Sequence, residues 1–296
     1  MKLTVFTPSY NRGRELKNLY NSLINQNLDD NYKHEFEWLI IDDGSTDNTG
    51  EIVEKLIKQH EININYQYKS NGGKHTAHNY AVDLATGDFF LICDSDDVLT
   101  QDAIQTVFDT ISDIQADEKV AGMVGYRHLQ AEDGSFDNMQ IKFPENAANV
   151  KLNDMFDVTG VFDTTQIYRT NVLKKFKFPE YKEERFFPEN WCWRSIDKQY
   201  WVRVIPVVLE TGKYQMDGYS IGSASHVAAP NKNPNANADY AYLYYETMHG
   251  LIKRIGYYGK YKAFQRHGQQ TKHKENVLLN ILSVPFQHYF ENKYFK

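Results

Sequence analysis

Within residues 3–114, short β-branched or aromatic runs alternate four times with apolar stripes at helical spacing. Residues 3–7 form the first run, ended by Pro8, after which Leu16, Leu19, Tyr20, Leu23 and Ile24 share one helix face. Residues 37–42 repeat the pattern with Trp38-Leu39-Ile40-Ile41, followed by the stripe Ile52, Val53, Leu56 and Ile57. Residues 62–68 alternate apolar and polar before a helix over 77–85, and the apolar run 89–93 precedes the stripe Ile104, Val107, Phe108, Ile111 and Ile114. Strand-helix units with short connections predict an α/β fold, a mostly parallel central sheet with helices on both faces. Ligands of such sheets bind beyond the carboxyl ends of the strands, so the residues after each run are where chemistry is sought.

Those residues are Thr7-Pro8-Ser9-Tyr10-Asn11-Arg12, Asp42-Asp43-Gly44-Ser45-Thr46-Asp47 and Asp94-Ser95-Asp96-Asp97. Carboxylates gathered on one sheet edge raise each other's pKa, and a divalent cation relieves the conflict. Asp94-Ser95-Asp96-Asp97 is an oxygen-only donor set suited to Mg2+ or Mn2+. Asp47 has a simpler role available, capping the helix that starts near Asn48, but a cap needs one such residue and 94–97 holds three acids. Neither a GxGxxG nor a GxxxxGK[ST] motif occurs, so this is not a Rossmann or P-loop fingerprint. Cys93 and Cys192 are too far apart in sequence to suggest a disulfide framework or a CxxC metal site. His75 and His78 share a helix face without an evident third metal ligand.

The ordered series Thr7 to Arg12, Ile40-Ile41-Asp42-Asp43-Gly44-Ser45-Thr46-Asp47, Asn71-Gly72-Gly73-Lys74 leading to Asn79, and Asp94-Ser95-Asp96-Asp97 resembles the family 2 glycosyltransferases of the GT-A fold over residues 1 to 225. The resemblance implies that Thr7, Pro8, Tyr10 and Arg12 line a nucleotide pocket. Asp43 would accept a hydrogen bond from the base, with Asp42 in the same set. Asp94 and Ser95 would sit at the ribose or donor sugar, and Asp96, with Asp97 as runner-up, would bind a metal bridging two phosphates. Gly73 lets backbone approach closely before a helix N-terminus that favours an anion, and Lys74 adds positive charge there or is a solvated loop lysine. An acidic Glu-Asp pair usually precedes a short helix in this family, its aspartate being the general base. Here Asn190 stands in the aspartate's place, which makes Glu189 the candidate base, with Glu184 and Asp197 as fallbacks and a plain helix-start glutamate as the alternative. His226, in a small-residue stretch after Asp217-Gly218-Tyr219-Ser220, is expected either to touch the diphosphate or metal or to be a loop histidine.

The expected activity is inverting, metal-assisted transfer from a nucleoside-diphosphate sugar, a UDP-sugar foremost, to a glycan or lipid-linked acceptor. A nucleotidyltransferase that makes nucleotide sugars and a silent carbohydrate-binding protein are the competing classes. The expected organisation is a nucleotide-sugar half over 1–118, an acceptor half over 119–230 with strands at 123–128, 139–143, 161–168 and 201–208, and a helical extension over 231–296, with 228–238 as a linker or the base of a lid. The net charge of -6 argues against nucleic acid as a partner. It divides into -13 over 1–250 and +7 over 251–296, where Lys and Arg interleave with Tyr257, Tyr258, Tyr261, Phe264, Phe286, Tyr289, Phe290, Tyr294 and Phe295. That composition suits an anionic membrane surface, with packing onto the catalytic domain or into a homodimer as the alternative. With no long apolar stretch, the sequence read alone points to a cytoplasmic chain, peripheral at most on the inner face of a membrane.

Overall fold

A computed structural model describes the chain apart from residues 33–34, 131–136, 139–141, 144–147, 160–162, 214–222 and 272. The elements run β1 (Leu3–Ser9), α1 (Gly13–Ile24), β2 (Phe36–Asp42), α2 (Thr49–Ile57), β3 (Asn63–Tyr68), α3 (Lys74–Leu84), β4 (Phe89–Ile92), β5 (Asp97–Leu99) and α4 (Ala103–Ile114). Then come β6 (Val120–Gln130), β7 (Asn149–Val150), α5 (Leu152–Thr159), β8 (Thr164–Arg169), α6 (Thr170–Leu173), α7 (Asn190–Asp197) and β9 (Trp201–Lys213). Four helices follow, α8 (Pro234–Thr247), α9 (Leu251–Gly268), α10 (Val277–Leu282) and α11 (Val284–Phe295). Part of the expected strand at 139–143 and the whole Asp217 to Ser220 stretch lie outside the described residues.

The chain forms two compact units, one of Met1–Gly72, Thr76–Lys177 and Gln199–Tyr214, the other of Gly73–His75, Phe178–Lys198 and Gln215–Lys296. The segment expected as an acceptor half, 119–230, contributes to both. The first unit holds the sheet, ordered β3-β2-β1-β4-β8-β6-β9-β5 with β7 beside β9. The four strands of the βα repeats are mutually parallel, and β6 and β9 share their direction, whereas β5, β7 and β8 run against it. Side chains alternate across this sheet as the pleat requires. Leu3, Val5, Trp38, Ile40, Phe89 and Leu91 join α1, α2 and α4 in one core. On the other face Phe6 and Phe90 pack on the ring of His78 in α3, with centroids 5.9 and 5.7 Å away. His78 is therefore a core histidine of this unit.

Beyond β4 the sheet is irregular. β6 and β9 pair with register shifts at Val124/Tyr126 and Tyr126/Arg127, while β8 accompanies β6 only from Gly122 to Tyr126. Pro206, which has no N–H for a ladder bond, lies in the part of β9 skipped by that pairing. Bulges bend a ribbon and re-aim its side chains. The bent end of β9 pairs with β5, so that Asp97, Val98 and Leu99 face Gly212, Thr211 and Glu210.

The second unit contains a core of Ala238, Ala241, Tyr258, Tyr261, Phe264 and Leu279, with Tyr242, Tyr245, Tyr294 and Phe295 packed on it. The stretch 228–238 is not a linker: a 3₁₀ turn at Pro230–Lys232 leads into α8 with Pro234 at its first turn. Glu184 caps that helix from fifty residues upstream, accepting from the Asn235 and Ala236 N–H groups at 2.7 and 2.8 Å. Among the described residues, no helix is long and apolar enough to cross a membrane.

Glu37, buried in β2, accepts from Thr4 Oγ1 at 2.7 Å and from the Thr86 N–H at 2.8 Å, tying β1 and the turn before β4 to β2. Glu37→Ala leaves both donors unsatisfied and is expected to cost about 2 kcal/mol in urea denaturation. A loss below about 0.5 kcal/mol, the range of neutral surface changes, would contradict the importance given to this network.

Candidate functional site

At the carboxyl ends of β1 and β2 the loops are stitched together by their own side chains. Asn11, at φ +54°, accepts from the Thr46 N–H at 2.8 Å and donates its own N–H to Ser45 Oγ at 2.8 Å. Asp42 uses both oxygens internally, accepting from the Ser45 N–H at 2.7 Å and the Tyr66 hydroxyl at 2.6 Å. Burial and that bond to Asp42 push the Tyr66 phenol well above its ordinary value. Asp43 accepts from Lys69 Nζ at 2.6 Å and from the Gly72 N–H at 2.9 Å, and its carbonyl accepts from the Asn71 amide at 2.8 Å. Lys69 escaped the sequence reading, where a lysine after a polar strand carries no signal. Thr7 is buried and accepts from the Trp38 indole at 3.0 Å, while Pro8 and Arg12 are half-buried and Tyr10 is exposed. Asp47 takes the capping role, accepting from the Thr49 N–H at 3.0 Å and its hydroxyl at 2.6 Å.

Asp94, Ser95 and Asp96 fill the short connection between β4 and β5, and Asp97 begins β5. The carboxylates of Asp94, Asp96 and Asp97 each offer an oxygen within 4.8 Å of the others. Burial first, then the charge of Asp94, raises the pKa of Asp96 above the usual carboxylate range, with Arg12 and Arg127 pulling the other way. Close, partly desolvated, oxygen-only donors carrying surplus negative charge fit a hard divalent ion. Ser95 is buried between them.

Asp97 differs from its neighbours. Its carboxylate is ion-paired with Arg127 Nη2, and its side chain is 1% exposed. Arg127 also lies 3.5 Å from Asp94 and, through Nε, 3.5 Å from Glu210, which is 3% exposed. Burial first, then the charge of Glu210, raises Asp97, and burial with the charge of Asp94 raises Glu210, with Arg127 opposing both. Gly212 backs this cluster, since a Cβ there would lie 1.8 Å from Asp97 Oδ1. Arg127, Glu210 and Gly212 were not among the expected site residues. The available signal was a charge directly following each of two largely apolar runs, Val120 to Tyr126 and Val202 to Leu209.

The second unit carries the other candidates. Glu189 stands at the start of α7, 51% exposed, its carboxylate 2.5 Å from Lys74 Nζ. Gly73 makes that approach feasible: it adopts φ +93°, and a Cβ on it would lie 2.0 Å from the Arg185 carbonyl oxygen. His75 packs against Phe178 and Phe187, a packing role. Asn190 donates its amide to the Tyr244 hydroxyl at 3.1 Å. Of the two fallback bases, Glu184 is committed to capping α8 and Asp197 is buried. His226 is exposed at the end of the 3₁₀ turn Ser223–His226.

A parallel βα half with an acidic cluster at its strand ends, joined to a mixed half, is the architecture of GT-A glycosyltransferases. Staphylococcus aureus TarS 1–349, solved in complex with UDP-GlcNAc, matches 99% of this chain and 82% of its own at TM-score 0.63 and 22% identity. Mannosyltransferase PcManGT from Pyrobaculum calidifontis, solved with GDP-Man and Mn2+, matches at TM-score 0.55 and 14% identity, covering 98% of this chain and 83% of its own. In sequence, the poly(ribitol-phosphate) beta-N-acetylglucosaminyltransferase TarS of S. aureus strain MW2 is 31% identical over 61% of this chain and 30% of its own length. A GalNAc(5)-diNAcBac-PP-undecaprenol beta-1,3-glucosyltransferase of Campylobacter jejuni is 26% identical over 67% of this chain and 60% of its own. The chain thus spans less than two thirds of either relative. The model of glycosyl transferase family 2 matches residues 4–176. The chain belongs to glycosyltransferase family 2, a family of enzymes.

Raised carboxyl pKa values fix the sign of one pH effect. Between the ordinary carboxylate range and the raised folded-state values, the Asp97–Glu210 pair shares a proton that the unfolded chain has released, its remaining charge facing Arg127, so stability falls as pH rises through that window. Asp97→Asn removes one such group. The drop in urea midpoint from pH 5 to pH 8 is expected to be smaller in Asp97→Asn than in the parent chain, and an equal or larger drop would count against the assignment.

Proposed function

We propose that the chain transfers a sugar from a nucleoside-diphosphate sugar, in first place a UDP-sugar, to a hydroxyl of a glycan or lipid-linked acceptor with inversion at the anomeric carbon. The observation that carries this reading is the carboxylate cluster at the end of β4 beside the stitched loops of β1 and β2, where open α/β sheets bind ligands. The UDP-GlcNAc of the TarS structure and the GDP-Man with Mn2+ of PcManGT support it as ligands of those proteins. When bound, Mg2+ or Mn2+ supplies charge neutralisation to the diphosphate. Asp96 and Asp94 hold that ion and the donor, with Asp97 beside them. Thr7, Pro8, Tyr10 and Arg12 line the nucleotide, Asp43 accepts from the base within a turn built by Asp42, and Ser95 faces the sugar. Gly73 and His226 belong to the diphosphate end, and Lys74, assigned to the donor by sequence, is here the partner of Glu189.

Inverting transfer needs a carboxylate that takes the acceptor proton as the acceptor oxygen bonds to the anomeric carbon and the bond to the diphosphate breaks. Glu189 is that base, and Lys74 orients its carboxylate. Purified protein with Mn2+ and a panel of nucleotide sugars is expected to release nucleoside diphosphate. Asp96→Ala and Glu189→Gln should each lower that rate about a hundredfold with the fold intact. Undiminished turnover in excess chelator contradicts the metal. Pyrophosphate release from a nucleoside triphosphate favours a nucleotidyltransferase, and donor binding without turnover a silent binding protein.

Among the described residues of 251–296 the exposed apolar surface is mainly aliphatic, with Tyr289 an exposed aromatic. Of the aromatics there, Tyr258, Tyr261 and Phe264 are wholly buried, whereas Leu251, Ile252, Val277, Leu278, Ile281, Leu282 and Val284 are between 42% and 76% exposed. Exposed Lys253, Arg254 and Lys274 accompany them, a combination suited to the headgroups of an anionic bilayer. Leu278→Asp with Ile281→Asp is expected to abolish sedimentation with phosphatidylglycerol vesicles while leaving the melting temperature unchanged. Equal sedimentation of the variant removes the membrane contact.

A further inference from the structure

Three carboxylates compete for one guanidinium at the far edge of the sheet, and the competition decides which of them an ion can use. The bulge at Tyr126/Arg127 turns the Arg127 side chain toward β5 and the end of β9. There it pairs with Asp97 and stands 3.5 Å from both Glu210 and Asp94. Asp97 has little room for anything else: its Oδ1 lies so near the Gly212 backbone that a methyl group there would meet it at 1.8 Å. A small divalent ion demands near-octahedral coordination at about 2.1 Å and keeps several waters, for which that side of Asp97 has no space. Asp94 is the most exposed of the three acids around Arg127, at 24% of its side chain, and Asp96 is half-buried beside it.

We propose that Arg127 is a positioning residue acting as a built-in cation: it keeps Asp97 and Glu210 out of the divalent ion's shell and leaves Asp94 and Asp96 as the carboxylate ligands. Two carboxylates fill only part of an octahedral shell, so tight ion binding requires further oxygens from a nucleoside diphosphate. Arg127 thereby makes metal binding conditional on the donor. The inference rests on the reading of this sheet end as a donor and metal site.

Manganese binding to the full chain, followed by the electron paramagnetic resonance of free Mn2+ with and without UDP, tests it. The parent chain is expected to bind one Mn2+, about tenfold more tightly with UDP than without. Asp96→Asn should lose about tenfold in affinity with UDP, whereas Asp97→Asn, although the next residue along the chain, should stay within about twofold of the parent. Arg127→Gln releases Asp97 and Glu210 and should gain about tenfold in nucleotide-free affinity or bind a second ion. A loss in Asp97→Asn as large as that in Asp96→Asn makes Asp97 a ligand and overturns the proposal. So does unchanged nucleotide-free binding in an Arg127→Gln chain whose circular dichroism shows it folded, and if that variant does not fold, Asp97→Asn decides alone. A parent chain that binds no Mn2+ even with UDP instead sinks the donor-site reading itself.

Discussion

One guanidinium set among buried carboxylates holds the acidic end of the sheet together. β5 is three residues long and touches the sheet through β9 alone, so its pairing would be marginal on backbone bonds by themselves. Asp97 adds an ion pair with Arg127, and Glu210 from β9 stands at the same group. Buried charge is costly unless paired, and removing one partner of such a cluster strands the rest. The 94–96 connection is thus fixed at both ends, by the Cys93 N–H bonded to the Phe6 carbonyl at 3.0 Å and by Asp97 on β5. Asp94 and Asp96 hang between two anchored strands, which places two carboxylates with little freedom to drift apart.

The first half of this arrangement was legible because parallel, doubly covered strands read as continuous apolar runs, as Trp38 to Ile41 and Phe89 to Leu91 do. What was not legible depends on partners distant in sequence. Nothing near Asp97, Val98 and Leu99 marks a strand, because their pairing is with Glu210 to Gly212. The start of α8 read as a linker, since Asn233, Pro234 and Asn235 favour turns, and the cap that overrides them is the carboxylate of Glu184. Arg127 reads as a surface charge until the bulge beside it is known.

The basic tail shows why composition and placement are separate questions. Tyrosine and phenylalanine interleaved with lysine suggested rings lying in an interface, yet most of those rings pack on one another. Tyr258 lies 5.7 Å from Tyr261, Phe264 lies 5.3 Å from Tyr294, and Lys260 sits among Tyr240, Phe264 and Phe290. Rings in such edge and tilted contacts, with a desolvated amine over their faces, form a core in which aromatic area replaces aliphatic area. Burial, with Lys293 nearby, pulls the Lys260 ammonium below its ordinary pKa, as expected of an amine enclosed by rings. The aliphatic residues that a conventional helix would bury are left outside on α10, where only Leu279 turns inward.

The departure at Asn190 bears on the chemistry through the same packing. Its amide donates to the Tyr244 hydroxyl, Tyr244 also receives the Tyr240 hydroxyl at 3.0 Å, and the Arg194 guanidinium lies 3.9 Å from the Tyr244 ring. A carboxylate at position 190 would be an acceptor only, so Tyr244 would turn its hydroxyl hydrogen toward it while still accepting from Tyr240. The exposed carboxylate at the head of α7 is that of Glu189. Its partner Lys74 is brought there by Gly73, whose backbone meets the Arg185 carbonyl where a side chain would not fit. A shift of one position along the start of a helix turns a side chain by about 100°. With Glu189 as the proposed base, the acceptor would approach from a different side of α7 than an aspartate at 190 would serve.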